Sequence, residues 1–298
     1  MRLYYSIIIV LCMIKVLVTG GQGQLGLCLK YLKNKHSLLK FYFLKKNILD
    51  ITNYQSLLKY TKKNDLDYIV NCAAYTLVDK AEDESDKAKA INVLGIGNLV
   101  KISELQKIKL IHISTDYVFN GLGQEELKED HKPDPLGVYG KTKLEGENLI
   151  MNSKGQAIVI RTSWLFSPFG NNFVKTILSL SRSNQKISVI NDQYGKPTYG
   201  LDLAEVIIKL INSSKSFNNK IYHFSNEGVT SWYYFAKSII ELSDSKSILV
   251  PIKSFEYSSK AIRPKNSVLN TELIQTTLNL EISDWKDSLK KCLNIING

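Results

Sequence analysis

From Met13 onward, short and almost unbroken apolar runs alternate with stretches whose apolar residues recur every three or four positions. The runs read as strands: Val16–Val18, Leu38–Leu44, Tyr68–Val70, Lys109–Ile113 and Ala157–Arg161. They lack the in-out alternation of a half-solvated sheet, as expected of strands covered on both faces. Helical periodicity fills the gaps, from Gln24 to about Asn34, then Asn53–Thr61, Ser85–Gln106 and Tyr139–Asn152. Strand and helix in turn predict an α/β fold with a doubly wound parallel sheet.

The alternation loosens after Ser163. A helix over Asn171–Arg182, a strand over Ile187–Ile190 and a loop through Pro197 leave the pattern. A helix over Leu201–Asn212 and a strand over Ile221–Phe224 rejoin it. Residues 13–165 and about 200–225 therefore read as a dinucleotide-binding domain, and about 166–199 with 226–298 as a smaller C-terminal substrate-binding lobe. With six prolines and no Gly/Ser linker, the two are expected to pack together.

The chain start needs its own reading. Tyr4 to Ile14 is strongly apolar, with Arg2 before it. It is too short to span a bilayer. It is similar to the apolar core of a signal peptide, but no small-x-small cleavage site follows. Lys15-Val-Leu-Val-Thr-Gly20 instead runs straight on as a strand. Residues 1–12 read as a non-native or unstructured extension with Met13 the true start, the alternative being a membrane anchor.

Composition changes little. The chain has 298 residues, 44% hydrophobic and 22% charged, which is ordinary for a globular protein. The net charge of +11 comes from scattered lysines without a run of five, so neither nucleic acid nor membrane is expected as a partner. Cys12, Cys28, Cys72 and Cys292 form no C-x-x-C pair, and a reducing cytoplasm fits them. His36, His112, His131 and His223 show no metal spacing, and His112 reads as a satisfied core residue.

Two motifs carry chemistry. Gly20, Gly23 and Gly26 follow the first strand with the spacing G-x-x-G-x-x-G and open the first helix. Such glycines give a tight turn, close backbone approach to a pyrophosphate, and close helix–strand packing, so the sheet reads as Rossmann-type. The helix N-terminus then faces the phosphates. Where such units often carry an acid for a ribose hydroxyl, this chain has Lys45 and Lys46. They either meet a 2′-phosphate, favouring NADPH over NADH, or are solvated loop residues.

The second motif is Tyr139 with Lys143, four positions apart and so on one helix face, 24 positions after Thr115. A phenol is a poor acid, with an ordinary pKa of about 10. A neighbouring ammonium stabilises the phenolate and lowers that value. The pair can then protonate a carbonyl oxygen as hydride reaches the carbon.

These motifs sit among segments that resemble the dTDP-4-dehydrorhamnose reductases, extended short-chain dehydrogenase/reductases. They include Asn71-Cys-Ala-Ala-Tyr-Thr76, Val78-Asp-Lys-Ala-Glu82, Ser114-Thr-Asp-Tyr-Val-Phe119 and Tyr139-Gly-Lys-Thr-Lys143-Leu-Glu-Gly-Glu147. Arg161-Thr-Ser-Trp164, Asn171-Asn-Phe173, Val189-Ile-Asn-Asp-Gln-Tyr-Gly-Lys-Pro-Thr198 and Arg263-Pro-Lys-Asn-Ser267 complete the series. The resemblance implies NADPH-dependent reduction of the C4 keto group of dTDP-4-dehydro-β-L-rhamnose, for rhamnose-containing polysaccharide, with NADH as the other possible donor. It implies that Thr115 bonds the C4 oxygen, Tyr139 protonates it, and Lys143 holds the nicotinamide ribose. Gly23, Gln24 and Leu25 would touch pyrophosphate, Asp50 and Ile51 the adenosine end, and Ala73, Ala74 and Tyr75 the cofactor cleft. Asp116 and Trp164 would contact the sugar, and Arg263 the nucleotide diphosphate, for which a guanidinium is suited. Asn120 stands where the family usually has an acid. Some members form a homodimer bridged by metal through glutamates that find no match here, which leaves Mg2+ and the dimer open. Two alternatives remain at this level: another nucleotide-sugar 4-reductase or epimerase, and a non-catalytic NADP-binding regulatory subunit of the methionine adenosyltransferase type.

Overall fold

The computed structural model describes residues 13–183, 185–213 and 217–298. The extension 1–12, with Cys12, lies outside the described residues. The first five strands are β1 (Ile14–Thr19), β2 (Leu39–Phe43), β3 (Tyr68–Asn71), β4 (Lys109–Thr115) and β5 (Ala157–Thr162). Four shorter ones follow: β6 (Leu165–Phe166), β7 (Lys186–Ile190), β8 (Tyr194–Gly195) and β9 (Thr198–Tyr199). Then β10 (Lys220–Phe224) rejoins the sheet against β5. The sheet order is β10-β5-β4-β3-β1-β2, parallel throughout. The order reverses between β1 and β3, and ligands of such sheets bind in the crevice at that switch point.

The strands are apolar throughout because each feeds two cores. Val16 and Val18 pack with the first cluster, containing Leu29 and Leu203, while Leu17 between them packs with Leu57 and Leu99. Ile158 and Ile160 divide from Val159 in the same way. Burying one such side chain stabilises by about 1.5–3 kcal/mol.

The helices of the first half are α1 (Gln24–Leu32), α2 (Tyr54–Asn64), α3 (Val78–Ala81), α4 (Ser85–Lys89), α5 (Gly95–Gln106) and α6 (Val138–Met151). Those of the second half are α7 (Phe173–Ser183), α8 (Gly200–Asn212), α9 (Trp232–Leu242), α10 (Glu272–Leu278) and α11 (Trp285–Asn297). The long helix expected over Ser85–Gln106 is continuous, but a π-helical turn, Ala90–Leu94, joins α4 to α5. The turn carries Asn92 inward, where its side chain needs partners. Its Oδ1 accepts from Tyr75 N at 2.9 Å, and its Nδ2 donates to Tyr75 O at 3.2 Å and Thr142 Oγ1 at 3.1 Å. α1 packs against α8 on one face of the sheet, and α2, α5 and α6 line the other.

In the remaining segments β7 pairs with β12 (Ile248–Ile252), and β8 lies between β11 (Thr230–Ser231) and β13 (Asn266–Ser267). Buried Lys196 ties this region together, 3.0 Å from Glu126 and 3.1 Å from Glu227. Among the described residues, no helix is long and apolar enough to cross a membrane.

Candidate active site

The turn after β1 has to be glycine. Gly20 lies at φ +63°, and a β-carbon there would sit 2.7 Å from Ala73 N. The loops after β1 and β3 thus close on each other at the switch point. Gly26 packs directly on this turn, since its β-carbon would meet Gly20 O at 2.6 Å. Gly23 caps α1 without any side-chain hydrogen bond, so the first-turn N–H groups are left for a ligand. Open donors and the positive helix end suit a pyrophosphate. Beside this cradle, a cavity of about 190 Å³ is lined by Gly20, Gly23, Lys46, Asp50, Ile51, Ala73 and Ala74.

A larger cleft of about 730 Å³ continues from the cradle over the C-terminal ends of β4 and β5. Gln24, Leu25, Ala74, Thr115, Asp116, Tyr139, Lys143 and Trp164 all line it. Tyr139 is delivered by α6, whose first free amide, Val138 N, is held by Glu82 Oε1 at 2.9 Å. Gly140 lets α6 press onto the turn after β4, where a β-carbon would overlap the Tyr117 carbonyl oxygen. The Tyr117 and Tyr139 rings meet edge to face, 5.7 Å between centroids.

Thr115 Oγ1 donates to Asp116 Oδ1 at 2.9 Å and accepts from Tyr117 N at 3.2 Å. Burial pushes the Asp116 carboxyl up to about 6, and the Ser267 and Thr115 hydroxyls offset only part of that. Lys143 Nζ donates to Ile113 O at 2.7 Å and stands 3.2 Å from His112 Nε2. Burial draws Lys143 down to about 8, against the opposing charge of Glu147. Glu147, one turn along, is held by Arg161 in a fully buried two-pronged pair, 2.7 Å at its shortest.

The family model described as "RmlD substrate binding domain" matches residues 14–297, nearly the whole described chain. The chain belongs to the dTDP-4-dehydrorhamnose reductase family. It is 40% identical to a Bacillus subtilis protein named spore coat polysaccharide biosynthesis protein SpsK, over 94% of this chain and 97% of that one. It is 38% identical to the dTDP-4-dehydrorhamnose reductase of Aggregatibacter actinomycetemcomitans, over 93% and 98%. A crystal structure of the Bacillus anthracis reductase in complex with NADP superposes with a TM-score of 0.90 at 38% identity, covering 94% of this chain and 99% of that one.

Against this family frame, two expected site residues lie elsewhere. Arg263 does not line the cleft. Its guanidinium is paired with Asp79, NH2 to Oδ2 at 2.5 Å and NH1 to Oδ1 at 3.2 Å. Tyr75 is buried in a small cluster with Ala81 and Ala88, its hydroxyl donating to Glu84 at 2.8 Å, because Asn92 pins its backbone and turns the ring away. The lowering of Tyr139 by Lys143 is also absent from this arrangement. Burial pushes the Tyr139 phenol above its ordinary value, the Asp116 charge adds to that, and the Thr115 hydrogen bond opposes it. The physical reason is where Lys143 Nζ points, toward Ile113 O and His112.

Reading the sequence also missed residues. Trp232 lies flat on Trp164, 3.7 Å between centroids and 12° between planes, and both line the cleft with Phe173. Trp164 sits at φ +48°, unusual for a bulky residue, and the stack holds it there. No local motif announces Trp232. Asn92 gave no signal beyond being a polar residue in an apolar helical stretch.

Proposed function

We infer that this protein reduces the C4 keto group of dTDP-4-dehydro-β-L-rhamnose to give dTDP-β-L-rhamnose, using NADPH. The observation that carries the reading is the meeting of Thr115, Tyr139 and Lys143 in one cleft that runs on from the glycine cradle. The bound nicotinamide supplies the hydride. The chain's residues do the rest. Thr115 and Tyr139 bind the carbonyl oxygen, and Tyr139 gives it a proton. A phenol raised by burial is protonated at neutral pH and so available as an acid. Asp116 orients Thr115 through the bond at 2.9 Å. Trp164, held by Trp232, forms the wall for the sugar.

Lys46 beside the smaller cavity supports NADPH over NADH, as a cation for the 2′-phosphate. We place the enzyme in the cytoplasm, in keeping with the free thiols of Cys28, Cys72 and Cys292. We expect a homodimer, which light scattering of the purified chain reads directly. The convergence of the three polar groups on the cleft favours catalysis over a binding-only, regulatory role.

The test is loss of NADPH absorbance with dTDP-4-dehydrorhamnose made in situ. Sugar-dependent oxidation with dTDP-L-rhamnose as product is the expected outcome. A product of other stereochemistry, or no oxidation by folded protein that binds NADPH, overturns the reading. Tyr139→Phe keeps the ring and removes the proton, and turnover should drop about 10²–10⁴-fold with NADPH binding retained.

A further inference from the structure

Asn71 on β3 and His112 on β4 are register partners beneath the cleft, and both are buried. The orientation of the Asn71 amide is set by backbone. Its Oδ1 accepts from Ala73 N at 3.3 Å and from Thr19 Oγ1 at 2.5 Å. Its Nδ2 donates to Ala73 O at 3.3 Å and meets His112 Nδ1 at 2.9 Å. An amide nitrogen only donates, so His112 Nδ1 must accept. A neutral ring then carries its proton on Nε2. Protonating both nitrogens would turn N–H against N–H at Asn71, and burial holds His112 well below its ordinary range.

That Nε2 stands 3.2 Å from Lys143 Nζ, which also donates to Ile113 O at 2.7 Å. An ammonium offers three donors and no acceptor. It would face the ring N–H donor to donor. An amine has a lone pair and accepts. We propose that His112 is a positioning residue for Lys143: fixed by Asn71 as the Nε2–H tautomer, it seats Lys143 against the Ile113 carbonyl and favours its neutral amine form over the ammonium in the cofactor-free cleft.

The other groups around Lys143 agree. Cys72 is a buried thiol, pushed up by burial and so uncharged. Glu147 is engaged by Arg161. Tyr139, on the same helix, is a neutral phenol. Asp116, beyond Thr115, is the remaining carboxyl in the cleft, and its Oδ1 is taken by the Thr115 hydroxyl. Lys143 gains its proton on leaving the His112 N–H for other acceptors. Resting on the reductase reading, that departure is what arms it to assist Tyr139.

The first test needs no substitution. Long-range ¹H–¹⁵N correlations on the cofactor-free wild-type chain report the His112 tautomer. We expect protonated Nε2 and bare Nδ1 between about pH 5 and 9. An Nδ1–H ring or an imidazolium across that range overturns the proposal. The second test follows the Lys143 ¹³Cε shift through its titration in wild type and in His112→Gln, whose carbonyl can face an ammonium. The substitution should raise the Lys143 midpoint by about one pH unit or more, a tenfold change in proton affinity. The midpoint of kcat/KM against pH should move with it, while KM for the sugar stays. An unmoved Lys143 titration in folded His112→Gln protein counts against the idea. Should that variant not fold, the wild-type tautomer still decides. The NMR readings need no sugar, so they stand whether or not turnover is seen.

Discussion

Burial drives the acidic groups of the cleft toward their uncharged forms, and the two halves of the proton machinery respond differently. Tyr139 stays protonated far above neutrality, so it is ready to give a proton at any working pH. Asp116, raised to about 6, loses its charge within reach of mild acid. A protonated Asp116 is a weaker acceptor for the Thr115 hydroxyl. kcat/KM should therefore fall as pH drops through about 6, and Asp116→Asn should flatten that limb while lowering the plateau. A pH–rate profile of the two proteins checks this. Tyr139 and Lys143 were legible as a pair because they share a helix face, and Thr115 was named through the family resemblance; the structure brings all three to one cleft. Trp232 was not, because its stack on Trp164 joins positions 68 apart that only the folded chain brings together. The pairing of Arg263 with Asp79 was hidden for a related reason: the two lie 184 positions apart.

At the scale of elements, α6 depends on close approach. A β-carbon at Gly140 would overlap the carbonyl of Tyr117, which is backbone and has nowhere to go. Gly140→Ala should destabilise the protein by about 1–3 kcal/mol, the usual range for overpacking. It should also reduce activity beyond that loss, since it parts Tyr139 from the turn bearing Thr115 and Asp116. Urea titration and turnover of the folded fraction separate the two effects. The strands were readable because apolar residues on both faces leave a continuous run. The π-helical turn was not, because it answers to what Asn92 must bond, not to periodicity.

At the scale of the molecule, stability against pH should carry the mark of buried histidine. Burial beside Arg161 draws His223 down to about 3, from an ordinary value near 6.5. Between those values the unfolded chain takes a proton that the folded one refuses. Stability from this group is whole above about 6.5 and is lost as pH falls toward 3. Wild type should lose about 2 kcal/mol more than His223→Asn between pH 7 and 5. Asp116 acts with the opposite sign in part of that window and cancels in the comparison.

The path of the chain through the sheet has a practical outcome for anyone wishing to dissect the molecule. The strand that covers the edge of β5 is β10, and the helix that covers α1 is α8, both encoded after the excursion that runs from β6 to β9. A fragment ending at residue 165 would leave β5 as a bare, apolar edge and take α8 from the face that α1 covers. Exposed edges of that kind recruit further chains. Expressed alone, it should aggregate, as light scattering would show, rather than yield a miniature cofactor-binding module. Exchanging the segment from β6 to β9 between relatives is therefore a matter of grafting between two fixed stations, not of joining ends.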